Sequence, residues 1–494
     1  MRSRVLTSIF ATASLLLAGC AGSGTSALTG ALPFARHGSG SSPIQHVVII
    51  VQENRSFDNF FALFPKANGA TRGKEMVKKK GKFVDKWVKL KPHSLIMTSD
   101  IQHCHKAFLT AYDGGKMDGF NLEYRGVCPN GTKPAGTLVY QYVQESDIAP
   151  YWDIAEAWTL ADAMFQTQGS GSFTAHQDLI RGGTCISSGN SCNVGSPSAN
   201  TESLVDNPTG MPWGCDAPKN TTTSLIDAYG TIVKTGPFPC SNDFPDYGSS
   251  PGYNTLADLL DAKGVSWKYY SPCFIGSPGS CGSNGCKTCS GALLNAFDVI
   301  DSVRYGPEWG TNVSMPETNI FADIDANALP AVSWVIPEDD ADDHPGESVD
   351  NGPSWVASVV NAIGQSSYWN SSAVIVIWDD WGGMYDNAKP PFQDGWGGLG
   401  FRVPMMVVSP YAIPGSSSQG GSISHTQYEF ASILRYIEDN WNLGRLGTSD
   451  TRATSIGDIF NYNQSPRSFT AIPSLYTKEY FINRPHPPQH GDPQ

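Results

Sequence analysis

Four short apolar runs, rich in β-branched residues, constrain this chain most: Ile44–Val51, Ala331–Ile336, Ala373–Ile377 and Val403–Val408. None alternates strictly with polar residues, so each reads as a strand buried on both faces, the pattern of a parallel sheet covered by helices. Between the second and third runs, Val356, Val359, Val360 and Ile363 recur at helical spacing within Ser354–Ser367. Strand, helix and strand at that distance make a βαβ unit. The expected fold class is α/β: a doubly wound, mostly parallel sheet flanked by helices. Ser424-His425-Thr426-Gln427 has the form of a capping box. It predicts a helix with Phe430, Ile433, Leu434, Ile437 and Trp441 on one face.

Composition narrows the class further. Charged residues are 16% and aromatics 11%, which excludes a disordered chain. With 33 Lys plus Arg against 46 Asp plus Glu, the net charge of -13 argues against nucleic acid as a partner. No apolar run reaches the roughly 18 residues of a membrane span. Arg2 and Arg4 precede the apolar stretch Val5–Ala18, which has the length of a signal-peptide core. It ends in Leu17-Ala18-Gly19-Cys20, which resembles the bacterial lipobox. That implies a lipoprotein signal over 1–19, lipidation at Cys20, a flexible tether over 20–43, and an exported protein held to a bacterial membrane. The remainder, 44–494, reads as a single α/β domain with two insertions. Residues 66–91, holding ten Lys or Arg against two acids, read as a basic hairpin, and about 185–290 as a Cys/Gly-rich cap. Ten cysteines remain beyond Cys20, an even count that predicts five disulfides in an exported chain, with Cys185 and Cys192 a plausible pair. The rival reading, a metal site at Cys281, Cys286 and Cys289, lacks a matching second pair.

Ligands in such sheets collect beyond the carboxyl ends of the strands. The first run passes into Gln52-Glu53-Asn54-Arg55, the third into Trp378-Asp379-Asp380, and the second into Glu338-Asp339-Asp340-Ala341-Asp342-Asp343-His344. Three groups of acids at one edge repel each other unless a cation sits among them, and oxygen ligands suit a hard divalent ion. An attacking group is offered by Gly169-Ser170-Gly171-Ser172, which precedes a predicted short helix, Ala175–Ile180. Ser172 would then sit at a helix N-terminus, where backbone N–H groups favour a phosphate-like anion. Gly248-Ser249-Ser250-Pro251-Gly252 matches G-x-S-x-G, but has no strand before it and Pro where a helix should begin, so it is not a nucleophile elbow. His46 lies inside a strand and reads as structural. His105 and His176 fall near the site segments with their roles open.

These segments together resemble the bacterial phosphoesterase family of phosphatidylcholine-type phospholipases C and related acid phosphatases. The matching stretches are His46–Asp58, Gly115–Phe120, Gly171-Ser172-Phe173, Asp343-His344-Pro345, Trp378–Gly383, Phe401–Pro404 and Ser424-His425-Thr426, spanning about 44–445. The resemblance implies an alkaline-phosphatase-like fold and metal-assisted hydrolysis of a phosphate ester or phospholipid. It implies Glu53, Asn54, Ser172, Asp379 and Asp380 as ligands of one divalent ion (Ca, Mn, Fe or Zn). Ser172 would be the nucleophile, passing through a phosphoserine, and His103 and His344 would hold the phosphoryl group or protonate the leaving oxygen. One departure is Asp386-Asn387, where the family often has Asp-His. The alternative function is a surface-anchored binding protein that keeps the fold without turnover.

Overall fold

The computed structural model describes residues 42–187, 202–233, 235–245, 248, 252–272, 294–396 and 398–485. The expected leader, Cys20 and nearly all of the expected tether lie outside these residues, as do Ser249, Ser250 and Pro251 and Cys192, Cys273, Cys281, Cys286 and Cys289.

Among the described residues, eight strands form the central sheet: β1 (His46–Gln52), β2 (Thr159–Ala161), β3 (Trp267–Tyr270), β4 (Val313–Ser314), β5 (Val332–Val335), β6 (Ser372–Trp378), β7 (Met405–Val408) and β8 (Ser422–Ser424). Their spatial order is β4-β3-β5-β1-β6-β7-β2-β8. All run parallel except β7, which is antiparallel to both β6 and β2. Each apolar run of the sequence is therefore a strand, and β1, β5, β6 and β7 are buried almost throughout. The crossover helix joins β5 to β6, but these strands flank β1 rather than each other.

The helices flanking the sheet include α1 (Ala149–Ala157), α2 (Ser172–Arg181), α3 (Gly352–Gly364) and α4 (Phe430–Trp441). α1 packs with α3, and α2 with α4. α3 begins two residues before the sequence expectation because Pro353 fits the first helical turn, where its missing N–H costs nothing. The capping expectation at Ser424 is overturned. Ser424 closes β8, paired with Ala161 of β2, and α4 is capped instead by a reciprocal pair between Glu429 and Ser432. Sheet pairing with a distant strand outweighs the local capping preference of Ser424. The apolar face of α4 is as expected: Phe430, Ile433, Leu434 and Ile437 are buried.

The stretch read as a cap is divided. Glu202–Leu204, Leu225–Asp227 and Ile232–Val233 form a small three-stranded sheet, while β3 rejoins the main sheet beside β5. Disulfides join Cys104 to Cys128 and Cys215 to Cys240, and Cys185 is also disulfide-bonded. The basic insertion forms the expected hairpin, Arg72–Lys79 against Lys82–Lys89. Among the described residues no helix is long and apolar enough to cross a membrane.

Candidate active site

The site is built where β1 and β6 end side by side. The Glu53 N–H donates to Asp342 O at 2.6 Å and the Asp379 N–H to Gln52 O at 2.9 Å, so both strand exits are held in register. Asn54 leaves β1 at φ 55°, a left-handed conformation that asparagine tolerates. The loop after β6 must pass against that backbone. A Cβ on Gly382 would lie 2.0 Å from Asn54 O, and Gly382 itself has φ 57°. A second apolar cluster supports this loop from below, with Trp381 packed 4.7 Å from Phe401 and Phe120 5.0 Å from Tyr385.

Ser172 is the first residue of α2, with Gly171 as N-cap, as the sequence implies. The preceding loop is pinned from two sides. His105 donates from Nδ1 to Gly169 O at 2.5 Å, and Gln166 donates to Ser170 O at 2.8 Å. His105 thus fixes the loop carrying the serine, and burial lowers its pKa.

Glu53, Asn54, Ser172, Asp379, Asp380 and His103 come together with side chains fully buried. Ser172 Oγ donates to Asp380 Oδ2 at 3.2 Å and lies 3.4 Å from the Asn54 amide. The amide atom facing the acids is 2.8 Å from Asp379 Oδ1 and 3.1 Å from Glu53 Oε2. With nitrogen in that place, it donates to both acids, and the amide oxygen accepts from His103 Nε2 at 2.7 Å and His344 Nε2 at 2.9 Å. With oxygen there, three oxygens meet with no proton between them, an arrangement that a cation stabilises. Metal–oxygen bonds of about 2.1 Å at right angles place neighbouring oxygens about 3 Å apart, close to the spacing these atoms have. The donor set fits a hard divalent ion. Burial, reinforced by Asp379 and Asp342, drives the Glu53 carboxyl well above the usual carboxylate range, so its ionised form needs a positive partner.

His176 joins this set. Its Nε2 is 2.8 Å from Glu53 Oε1 and 4.0 Å from Asp379 Oδ2, and the three side chains could themselves hold a metal ion. The sequence signal for it is the four-residue spacing from Ser172, which puts both on one face of α2. His103 is fixed by its Nδ1 donating to Ile101 O at 2.6 Å, and its Nε2 lies 3.7 Å from Asp380 Oδ2. His344 arrives from the loop after β5, its backbone N–H held by Asp342 at 2.8 Å.

The third acidic group does not converge on the site as the sequence suggests. Glu338 and Asp340 pair with Arg484 at 2.9 and 2.6 Å. Asp343 accepts from the Tyr151 hydroxyl at 2.7 Å and from Trp378 Nε1 at 3.0 Å, tying the loop to the sheet. Of that run, Asp342 and His344 reach the site residues. Asn387, the departure from the family pattern, accepts from Arg402, and its N–H donates to Asp58 Oδ2 at 2.8 Å. His46 is structural: it bonds Pro330 O at 2.9 Å and packs edge-on against Tyr368.

The phosphoesterase family pattern matches residues 44–444, which contain Glu53, Asn54, His103, Ser172, His176, His344, Asp379 and Asp380. The chain belongs to the phosphoesterase family. It is 24% identical to a non-hemolytic phospholipase C of Burkholderia pseudomallei, over 90% of this chain and 62% of that protein. It is likewise 24% identical to phospholipase C A of Mycobacterium tuberculosis, over 87% of this chain and 81% of that one. This phosphoesterase thus spans less than two thirds of the first relative's length. Among solved structures, it is similar to a Vibrio parahaemolyticus protein of the alkaline phosphatase superfamily, with 10% identity, a TM-score of 0.31 and coverage of 86% and 73% of the two chains.

Proposed function

We propose that this protein is an exported, lipid-anchored hydrolase of phosphate esters, acting on a phospholipid headgroup ester or a related phosphomonoester. The observation that carries the reading is the buried oxygen set around Ser172: Glu53, Asn54, Asp379 and Asp380. These residues would hold one divalent ion, which when bound neutralises phosphoryl oxygens and acidifies the serine hydroxyl.

The chain's own groups then account for the bond changes. Asp380 Oδ2 orients the Ser172 hydroxyl and holds its proton. Ser172 Oγ bonds to phosphorus as the ester P–O bond breaks, and the departing alkoxide takes a proton from His103 or His344. Water next cleaves the Oγ–P bond, restoring the serine hydroxyl and releasing phosphate or a phosphorylated headgroup. Asn54, bonded to both histidines and facing both acids, keeps the proton-handling and charge-bearing sides in fixed relation. The Cys20 lipid anchor places this chemistry at a bacterial membrane surface.

Purified protein assayed on phosphatidylcholine and on a chromogenic phosphomonoester tests the reading. Ser172→Ala is expected to lower turnover by about 10³-fold or more, and a chelator to abolish it until a divalent ion is restored. Undiminished hydrolysis by Ser172→Ala would sink the nucleophile assignment. An intact chain inert on every ester would favour a binding protein that has kept the fold.

A further inference from the structure

The basic hairpin has no part in the site chemistry, and its surface is unusual for this molecule. Its strands turn at Lys80-Gly81, where φ values of 49° and 82° match the twist of a tight hairpin. From Arg72 to Lys89 it holds eight Lys or Arg and two acids, a net +6, which leaves -19 on the rest of the chain. Side chains alternate along a strand, so this register puts Arg72, Lys74, Lys78 and Lys89 on one face with Phe83 and Trp87, against one acid there, Asp85, 3.8 Å from Lys74. Phe83 is 59% exposed and Trp87 58%. The Arg72 guanidinium lies 4.9 Å over the Trp87 ring.

The base of the ribbon is firmly held while the tip projects. The Asn121 side chain bonds both Met76 N and Met76 O, at 2.8 and 2.9 Å, and Glu75 is buried against Lys86 at 2.7 Å. Gly73 lies so close to Tyr385 that a Cβ would come within 2.5 Å of the ring. Tyr385 belongs to the loop that carries Asp379 and Asp380, so the hairpin is mounted on the site side of the sheet.

We infer that the Phe83/Trp87 face of this hairpin docks on the surface of an anionic lipid bilayer. Aromatic rings settle at headgroup depth, and lysine and arginine beside them attract anionic headgroups. Charge complementarity selects this occupant: an anionic surface is attracted at the hairpin and repelled by the remaining acidic body, which orients the molecule. A projecting ridge with two rings suits a soft surface that they can enter. The inference goes beyond ester hydrolysis and is read without turnover.

Vesicle sedimentation tests it, with the full chain carrying Ser172→Ala and Cys20→Ser so that neither catalysis nor an acyl chain contributes. Vesicles of phosphatidylcholine alone are compared with vesicles containing about one third phosphatidylglycerol. Binding is expected to be at least about ten-fold tighter to the anionic vesicles and to weaken with salt. The double variant Phe83→Ser/Trp87→Ser and the triple variant Arg72→Gln/Lys78→Gln/Lys89→Gln should each fall to the phosphatidylcholine level. Brominated lipid should quench tryptophan fluorescence in the parent and markedly less in Trp87→Phe. Equal binding to both vesicles, no binding, or variants that bind like the parent would overturn the inference. So would a dimer that the aromatic variant dissociates, or vesicles displaced by nucleic acid.

Discussion

At the level of single residues, the site depends on side chains that orient one another. His176 Nε2 holds Glu53 Oε1 at 2.8 Å, and loss of such a partner of a ligand typically costs about 10–100-fold in metal affinity or activity. His176→Ala is expected to raise the divalent-ion concentration needed for half-maximal hydrolysis by about 10–100-fold, with turnover at saturating ion much less affected. A titration of activity against the ion reads this directly. Away from the site, Glu123 is 3% exposed and burial pushes its carboxyl up to about 9. The folded chain therefore keeps this proton while the unfolded chain releases it near pH 4.5, so stability attributable to Glu123 falls as pH rises from there to about 9. Glu123→Gln should remove that loss, raising Tm by several degrees at pH 8 and changing it little at pH 4. Thermal melts across that range would show no separation between the two proteins if the carboxyl were ionised in the fold.

At the level of elements, the strands follow directly from local composition and the caps do not. Val47–Val51 and Ala373–Trp378 are buried almost without interruption, so their own side chains specify them as strands. The start of α4 depends on partners far away. Glu429 accepts from the first turn and is gripped by Arg452 at 2.8 and 2.9 Å, while Gln427, the glutamine of the expected capping box, is exposed. Glu429→Ala is expected to cost about 1–2 kcal/mol, and Gln427→Ala within about 0.5 kcal/mol of nothing, in denaturant unfolding. The reverse order would restore the sequence-based start of the helix. The acidic run after β5 follows the same logic: its composition suggests a metal site, yet Arg484, near the far end of the chain, takes Glu338 and Asp340.

At the level of the whole molecule, the proposed ion would join the ends of β1 and β6 to the first turn of α2. Binding only to the folded form, it should raise the melting temperature, by an amount that grows with ion concentration. Calorimetry with and without chelator checks this, and an unchanged Tm would mean that the oxygen set holds no ion. The chain's charge is also arranged on this scale. Its -13 combines a cationic ribbon with a strongly acidic body, a division visible in sequence as one basic segment but given a facing direction by the hairpin register.

Sequence alone determined the α/β class, four of the sheet strands, the crossover helix, and Ser172 at a helix start. These rest on apolar periodicity and strand-end rules that act over a few residues. Only the tertiary structure decided that β7 runs antiparallel, that Trp267–Tyr270 rejoins the main sheet, and that His176 rather than the Glu338–Asp340 run stands beside Glu53. The reason is physical. A buried strand is specified by its own side chains, whereas the partner of a buried charge is chosen by whichever distant group the packed chain brings within hydrogen-bonding distance.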